Sequence, residues 1–399
     1  MRIAIFIKAT TFHKNHGGLE VQNRILAEGL AESNEVMVYS PKGGLDFTSK
    51  IEKSVFYKFI DARYKNKNIL ESILNVGVKS EWDKKSYDVL LNDHREKPFD
   101  VVVSQSSAGL GIIKRKKELG VKVVSIAHGT IWSEFRTLLA RKKSLVSTIK
   151  LVKDFEYTVR NYLTRQKQYL TGSDLVIAVS EFVAGNVAKE SGIPMNKIKV
   201  IHNGVSEFSG NALPKPESPI TILYVGRIEE DKGVFELVTT FANLIKKQGG
   251  GIRLLIAGEG PDLTRLKEVV KSSSLEDPVS LLGYLNREEL ETYYLTSHIF
   301  VLPTKRIEGF PVTIPEGMIA GLPIVAFDLG GIREGVFDGK SGFLIRKGRW
   351  DMFEEKLETL IGDANLRVEL GEHAKALAKS EFSRDTMVHK YLDVLKGLV

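Results

Sequence analysis

The chain has 399 residues, and its 57 lysines and arginines against 50 aspartates and glutamates give a formal charge of +7. There is no cysteine, which excludes disulfides and thiolate metal sites and fits a cytoplasmic location. No apolar run has the length of a membrane span, and Lys8 interrupts the opening MRIAIFIKATTF, so we expect neither a transmembrane helix nor a signal peptide. The positive charge favours anionic partners, and nucleic acid is not expected because no zinc-finger spacing or aromatic RNA-binding signature is present.

Short apolar runs alternate with longer amphipathic stretches in both halves of the chain, which predicts an α/β fold with parallel sheets. The strands predicted in the first half are RIAIFIK, EVMVYSP, VFYKFI, DVVVSQS, KVVSIAHG, LVIAVS and KVIHNGV. Those predicted in the second half are TILYVGR, RLLIAGEGP, VSLLGY, HIFVLPT and LPIVAFD. Residues 211–220 hold three prolines, and we predict that they link a first domain, 1–210, to a second, 221–384, with a last helix in 385–399.

Four residues of the first half are singled out by residue type and place. Gly17 and Gly18 follow the first predicted strand, where glycines let a ligand approach a helix N-terminus, although an ordinary turn explains them as well. His128 ends the strand KVVSIA, so its ring can face a crevice at the sheet edge or serve a structural role. Ser180 is predicted to cap the helix that follows LVIAVS.

Residues 135–170 have the composition of a basic amphipathic helix. Apolar side chains recur at the spacing of one helix stripe from Leu138 to Tyr162, and nine lysines and arginines lie around them against Asp154 and Glu156. Such a helix can lie on an anionic membrane surface, or it can pack on the sheet with a solvated basic face. We hypothesise a weak peripheral membrane contact that serves a lipid-linked acceptor.

Arg227 and Lys232 follow the first predicted strand of the second domain and stand five residues apart. Two cations in this loop can both reach one diphosphate and neutralise the charge of a leaving group. A solvated basic pair is the alternative explanation.

The stretch PTKRIEGFPVTIPEGMIAGLP, 303–323, lies between two predicted buried strands and holds Glu308 and Glu316, with seven residues between them. Carboxylates accept hydrogen bonds from vicinal hydroxyls of a ribose or hexose, and the amides at Gly309 and Phe310 can face phosphate oxygens. The alternative is that Glu308 is a solvated loop residue and that Glu316 stabilises the first turn of a helix.

The elements Glu308-Gly-Phe and Glu316-Gly-Met, followed by Ala-Gly-Leu-Pro-Ile-Val-Ala, resemble the donor-site signature of the retaining family-4 glycosyltransferases. The stretches GGLE, AVSE and IHNGV, and the Gly-Arg and Lys-Gly pairs in YVGRIEEDKG, resemble further parts of the family pattern. The sequence departs from the family pattern at Pro311, where glycine is commoner, and at Gly317, where alanine is commoner. The stretch from Pro303 to Glu308 is also one residue longer than usual. This resemblance implies the GT-B fold, in which two Rossmann-like doubly wound domains face a central cleft and the C-terminal helix crosses back to the first domain.

The resemblance also implies a role for each matching residue. Glu308 would contact the transferred sugar, and His128 would contact the hydroxymethyl group of that sugar. Arg227 and Lys232 would bind the diphosphate. The remaining donor-binding residues that it implies are Glu316 on the ribose, Gly309, Phe310, Pro311, Gly17, Gly18, Gly226 and Leu285.

The activity implied is retaining transfer of a hexose from a nucleotide diphosphate sugar to a hydroxyl of a glycan, a lipid-linked sugar or a small sugar. No metal or further cofactor is expected, since the chain has no Asp-x-Asp triplet. Two alternatives stay open: another GT-B sugar enzyme, such as an epimerase or phosphorylase, and a non-catalytic subunit that binds a nucleotide sugar.

Overall fold

The computed structural model describes residues 1–14, 16–64, 78–139, 145–209 and 215–399, without the side chains of 78–80 and 145–150. The chain divides into two compact units. Met1–Gly204 and Arg384–Val399 form the first unit, and Val205–Ser383 forms the second.

An eight-stranded sheet organises the first unit. Its strands are β1 Arg2–Phe6, β2 Glu35–Pro41, β3 Ser49–Glu52, β4 Val55–Ile60, β5 Val101–Gln105, β6 Lys122–Ala127, β7 Leu175–Ala178 and β8 Ile198–Val200. They lie in the order β3-β4-β2-β1-β5-β6-β7-β8, parallel throughout except for the β3–β4 pair. All five residues of β5 are buried, as in a strand that is covered on both faces. The strand order reverses between β1 and β5, so the loops after these two strands diverge around one crevice.

The helices of the first unit connect these strands. They are α1 Gly18–Ala31, α2 Val78–Glu96, α3 Leu110–Leu119, α4 Ile131–Leu139, α5 Leu145–Asn161, α6 Lys167–Gly172 and α7 Glu181–Ser191. A π-helical turn, Tyr162–Gln166, joins α5 to α6. Ser180 caps α7 as predicted, because its hydroxyl accepts a hydrogen bond from the amide of Val183 at 3.2 Å.

A six-stranded parallel sheet organises the second unit. Its strands are β9 Ile220–Val225, β10 Ile252–Ala257, β11 Val279–Gly283, β12 Ile299–Leu302, β13 Ile324–Phe327 and β14 Gly342–Ile345. Their order, β11-β10-β9-β12-β13-β14, is that of a doubly wound dinucleotide-binding fold. Because the order reverses between β9 and β12, the loops after these two strands border the crevice in which such sheets bind ligands.

The helices of the second unit cover both faces of this sheet. They are α8 Val234–Gln248, α9 Leu263–Ser272, α10 Arg287–Thr296, α11 Thr313–Ile319, α12 Trp350–Gly362 and α13 Ala364–Glu381. Large side chains from sheet and helices are fully buried between the layers, among them Tyr224, Phe241, Phe327 and Phe353. The last helix, α14 Arg384–Lys396, belongs to the first unit and packs against α1.

The structure differs from the sequence-based expectations at the boundary between the units and at two short strands. The chain changes unit between Gly204 and Val205, ahead of the predicted linker at 211–220, of which 211–214 lies outside the described residues. The amide of Val205 donates to the carbonyl of Phe382 at 2.8 Å, a pairing of distant segments that local composition does not reveal. The short strands β3 and β14 were not predicted, because turn residues surround both.

The single helix stripe predicted over 135–170 is wrong. The segment contains the end of α4, then α5, the π-helical turn and α6, and residues 140–144 lie outside the described part. Across the described residues, no helix is both long and apolar enough to cross a membrane.

Candidate active site

Lys232 and Glu308 meet at the switch point of the second sheet. Lys232 ends a 3₁₀ turn after β9, and Glu308 lies in the loop after β12. Lys232 Nζ is 2.6 Å from Glu308 Oε1, and the hydroxyl of Thr304 donates to the same oxygen at 3.3 Å. Both charged side chains are about one fifth exposed (18% and 19%), so solvent reaches the pair but does not surround it. Residues 76 apart in the chain thus form one cation–carboxylate pair.

Close backbone packing holds the two loops in place. The amide of Lys305 donates to the carbonyl of Asp231 at 2.8 Å, which ties the loop after β12 to the loop after β9. Gly330 has φ +59°, and a Cβ there would lie 2.2 Å from the carbonyl oxygen of Glu308. Gly331 donates its amide to that same oxygen at 3.0 Å. A side chain at position 330 would therefore displace the backbone of Glu308.

Arg227 lies on the same sheet edge as this pair but points elsewhere. Its guanidinium contacts Glu229 Oε1 at 2.7 Å, and its side chain is 68% exposed. The hydroxyl of the buried Tyr224 donates to the carbonyl of Arg227 at 2.9 Å and so fixes the backbone there. Burial, and then the negative charge of Glu308, raise the pKa of Tyr224, which keeps the phenol protonated as a donor. The cation of Arg227 can therefore turn on an anchored backbone.

Glu316 is buried in the short helix α11 and has two partners from α10. Arg287 Nη1 donates to one carboxylate oxygen at 3.2 Å, and the hydroxyl of Tyr294 donates to the other at 3.1 Å. Burial raises the pKa of Glu316, whereas the charge of Arg287 and the hydrogen bond from Tyr294 lower it. The two donors thus orient the carboxylate and favour its ionised form.

The other donor-site candidates of the second unit differ in burial and in position. The ring of Phe310 is buried against that of Phe382, with 5.1 Å between the ring centroids, so the side chain belongs to the core. Leu285 is half-buried. Its neighbour Asn286 caps α10, because its side chain accepts from the amide of Glu289 at 3.0 Å. The remaining candidates, Gly309, Pro311 and Gly226, lie in the loops after β12 and β9.

In the first unit, Gly17 stands immediately before α1 and Gly18 is its first residue. The amide of Gly17 donates to Glu20 Oε2 at 2.8 Å, so a side chain of the same helix already contacts it. The backbone of Gly17 is extended, with φ −135°, and a Cβ there would meet nothing closer than 3.6 Å. Neither backbone conformation nor space therefore requires glycine at position 17.

His128 follows β6 and is joined to the end of β5. Its Nε2 lies 2.7 Å from Oε1 of Gln105. Burial, followed by the nearby charge of Lys8, lowers the pKa of His128 to about 4. The imidazole is therefore neutral at physiological pH, and it can exchange hydrogen bonds with a ligand without carrying charge.

The sequence reasoning missed the residues that orient the predicted ones. Tyr294 and Arg287 hold Glu316, and Gln105 holds His128. None of them belongs to a charged or glycine-rich loop motif. The pairing of Asn286 with Glu289 at the start of α10 is a capping-box pattern, but it indicates a helix start and not a carboxylate partner.

Sequence models of two families match nearly the whole chain. The model described as Glycosyltransferase Family 4 matches residues 16–207, and the one described as Glycosyl transferases group 1 matches residues 205–377. The chain belongs to the group 1 glycosyltransferases. The enzyme class predicted from the sequence is therefore confirmed.

Relatives of this glycosyltransferase include enzymes of polysaccharide biosynthesis. It is 28% identical to the capsular polysaccharide biosynthesis glycosyltransferase CapM of Staphylococcus aureus, over 74% of this chain and 76% of that protein. Identity to the putative colanic acid biosynthesis glycosyltransferase WcaL of Escherichia coli (strain K12) is 27%, over 60% of this chain and 61% of that protein. The match thus spans less than two thirds of the second relative.

Two solved structures share the fold of this glycosyltransferase. Sucrose-phosphate synthase of Thermosynechococcus elongatus has a TM-score of 0.78 at 18% identity, covering 100% of this chain and 98% of that one. HepE of Anabaena, solved with UDP and glucose, has a TM-score of 0.73 at 17% identity, covering 100% of both chains. The prediction of a GT-B fold with two Rossmann-like domains is confirmed.

Proposed function

We propose that this glycosyltransferase moves a hexose from a nucleotide diphosphate sugar to an acceptor hydroxyl and retains the anomeric configuration. The observation that carries the proposal is the contact between Lys232 and Glu308 at the switch point. One cation and one carboxylate there match the two halves of such a donor, an anionic diphosphate and a polyhydroxylated ring.

In the proposed reaction Lys232 binds the diphosphate as the negative charge of the leaving group develops. Arg227, which is exposed on an anchored backbone, turns from Glu229 to the same phosphates. Released from Lys232, Glu308 accepts hydrogen bonds from the sugar. Glu316, already oriented by Tyr294 and Arg287, accepts the ribose hydroxyls.

The chemical step is a same-face substitution through an oxocarbenium-like state. The bond from the anomeric carbon to the phosphate oxygen breaks with its electron pair on that oxygen. The acceptor oxygen then bonds the anomeric carbon on the same face, and its proton passes to the departing phosphate. Because Lys232 and Arg227 carry the charge of the diphosphate, the reaction as proposed needs no metal ion.

The names of two relatives refer to the biosynthesis of capsular polysaccharide and of colanic acid, which supports a growing polysaccharide as the acceptor. The complex of HepE with UDP-glucose supports testing uridine donors first.

The decisive experiment has two stages. A thermal-shift screen against nucleoside diphosphates and their sugar conjugates identifies the donor, because a ligand that binds the native state raises the melting temperature. Transfer of that sugar to acceptor glycans is then followed by NMR, which reports the anomeric configuration of the product. Binding without transfer to any acceptor would favour a non-catalytic subunit. Epimerisation without acceptor, or sugar release that depends on phosphate, would favour the other GT-B enzymes.

Exposed apolar side chains on α5 and on the π-helical turn after it support a peripheral membrane contact. We propose that this contact is with the cytoplasmic face. Val152 is 66% exposed and Leu163 52%, and the exposed Lys153 and Lys167 lie near them in sequence. Apolar groups with lysines around them suit an anionic lipid surface.

Liposome co-sedimentation with and without anionic lipid tests this contact. The double variant Val152→Ser/Leu163→Ser should lose binding, whereas Val368→Ser, at a valine of the second unit that is 59% exposed, should keep it. Native protein that shows no salt-sensitive binding to anionic vesicles would contradict the proposal.

A further inference from the structure

A buried polar chain connects three elements of the first unit. Gln105 ends β5, and its Oε1 lies 2.7 Å from Nε2 of His128. Its Nε2 donates to Oδ1 of Asn23, on α1, at 2.9 Å. Gln105 and Asn23 are each 2% exposed. Such a chain in a low-dielectric interior is directional, because each side chain has only particular donors and acceptors to offer.

The direction of this chain determines which nitrogen of His128 carries hydrogen. The amide nitrogen of Gln105 is directed at Asn23, so its carbonyl oxygen faces the imidazole. A carbonyl oxygen can only accept, so with the Gln105 amide in this orientation Nε2 of His128 is assigned as the N–H donor. In a neutral imidazole the other nitrogen, Nδ1, then has a lone pair that can accept a hydrogen bond.

The backbone that carries Gln105 is unusually constrained. Ser106, the next residue, has φ +51°, a left-handed conformation that serine rarely adopts. The side chain of Arg165, from the π-helical turn, donates to the carbonyl of Ser107 at 3.3 Å. The hydroxyl of Ser104 accepts from the amide of Gly109 at 2.8 Å and closes the turn. Strain of this kind persists where surrounding contacts hold it, and it is concentrated at functional sites.

We propose that Gln105 is a positioning residue of the transfer reaction, which holds His128 with hydrogen on Nε2 so that Nδ1 accepts a hydrogen bond from a hydroxyl of the substrate sugar. This inference rests on the proposed function. It adds a substrate requirement, a sugar hydroxyl that donates at this position. The charge of Lys8 acts on His128 in the same direction, because it disfavours the imidazolium that would have no lone pair.

Three variants test the role of Gln105. Gln105→Leu removes the acceptor of Nε2–H, and kcat should fall about tenfold or more while KM for the donor changes little, since the diphosphate and ribose contacts remain. Gln22→Leu is the matched control. Gln22, which lies on α1, is buried like Gln105, but its amide donates to Met387 and not to a member of the polar chain. It should keep the native kcat and the native pH profile, whatever it does to stability.

Gln105→Glu distinguishes positioning from packing. A carboxylate at position 105 would stabilise the imidazolium of His128, so the acid limb of kcat/KM should move up by about one pH unit or more. NMR of the histidine rings, with the His128 signals identified from their loss in His128→Asn, should show the same rise in the pKa of His128 without any substrate.

The outcomes separate the two proposals. If no nucleotide sugar supports transfer by the native protein, the proposed function fails. If the native protein is active and Gln105→Leu has the native kcat, the positioning role alone is refuted. The role is also refuted if His128 titrates identically in the native protein and in Gln105→Glu.

Discussion

Replacing Lys232 by methionine tests the pair that carries the proposed function. The substitution keeps much of the apolar stem of the side chain and removes the ammonium that lies 2.6 Å from Glu308 Oε1. Among the residues that the structure describes, the carboxylate of Glu308 then keeps only the weak hydrogen bond from Thr304, at 3.3 Å. The Glu308 side chain is 19% exposed, so water compensates the lost charge only in part. A charge left without its partner in such a partly buried place costs about 2 kcal/mol, less than for a fully buried pair.

For a unit of this size, that loss lowers the melting temperature by about 4–8 °C. The effect on transfer should be larger. Loss of a cation from the developing diphosphate charge should reduce kcat about 10²–10³-fold. The control is Lys305→Met, because Lys305 Nζ lies equally close, 2.6 Å, to Glu236 on the same sheet edge. It should lose some stability and keep transfer within about threefold.

Binding of the nucleoside diphosphate separates a ligand role of Lys232 from a structural one. Lys232→Met should bind it about tenfold or more weakly by calorimetry, because a charge-assisted contact is lost. Glu308→Gln frees the ammonium, so it should bind the diphosphate at least as tightly as native protein while transfer falls. Equal losses of affinity in the two variants, or native affinity in Lys232→Met, would refute the reasoning.

Four further outcomes are expected. Burial raises the pKa of Glu316, and the proposed ribose contact needs the ionised carboxylate. Calorimetry should therefore show the affinity for a nucleoside diphosphate falling as the pH drops from neutral through this raised pKa. Glu316→Gln should bind weakly and lose the part of the slope that the carboxylate causes. Gly330→Ala should destabilise the protein by about 2 kcal/mol or more in urea unfolding, since it forces a Cβ against the Glu308 carbonyl at φ +59°; native stability would contradict this. Ser180→Ala should cost about 1 kcal/mol in the same assay through loss of the cap on Val183. Transfer should persist in excess EDTA, and a requirement for added divalent metal would overturn the assignment of the diphosphate charge to Lys232 and Arg227.

Local sequence patterns predicted all of the strands except β3 and β14. Continuous apolar runs such as VVV in β5 are expected to be buried on both faces, and this pattern indicates a parallel sheet without knowledge of its order. Polar loop residues that follow such runs, Lys232 and Glu308 among them, then fall at the ligand-binding edge. The same patterns misplaced the unit boundary, because Val205 is held by the carbonyl of Phe382, far along the chain.

The orienting residues could not be predicted in this way. Tyr294 and Arg287 are ordinary members of a helix until α11 brings Glu316 against them. Gln105 is likewise the last residue of an unremarkable strand. Its role depends on the side-by-side placement of β5 and β6 and on α1 covering that end of the sheet.

The chain by itself determined the fold class, the family and the residue types available for the reaction, because periodicity and short motifs are properties of neighbouring residues. Tertiary structure alone decided which of those residues act together. The reversal of strand order between β9 and β12 joins a lysine to a glutamate 76 positions away, and burial decides which carboxylate and which imidazole have shifted pKa values. Distances between remote residues and exclusion of water depend on the whole packed chain, and no local pattern contains them.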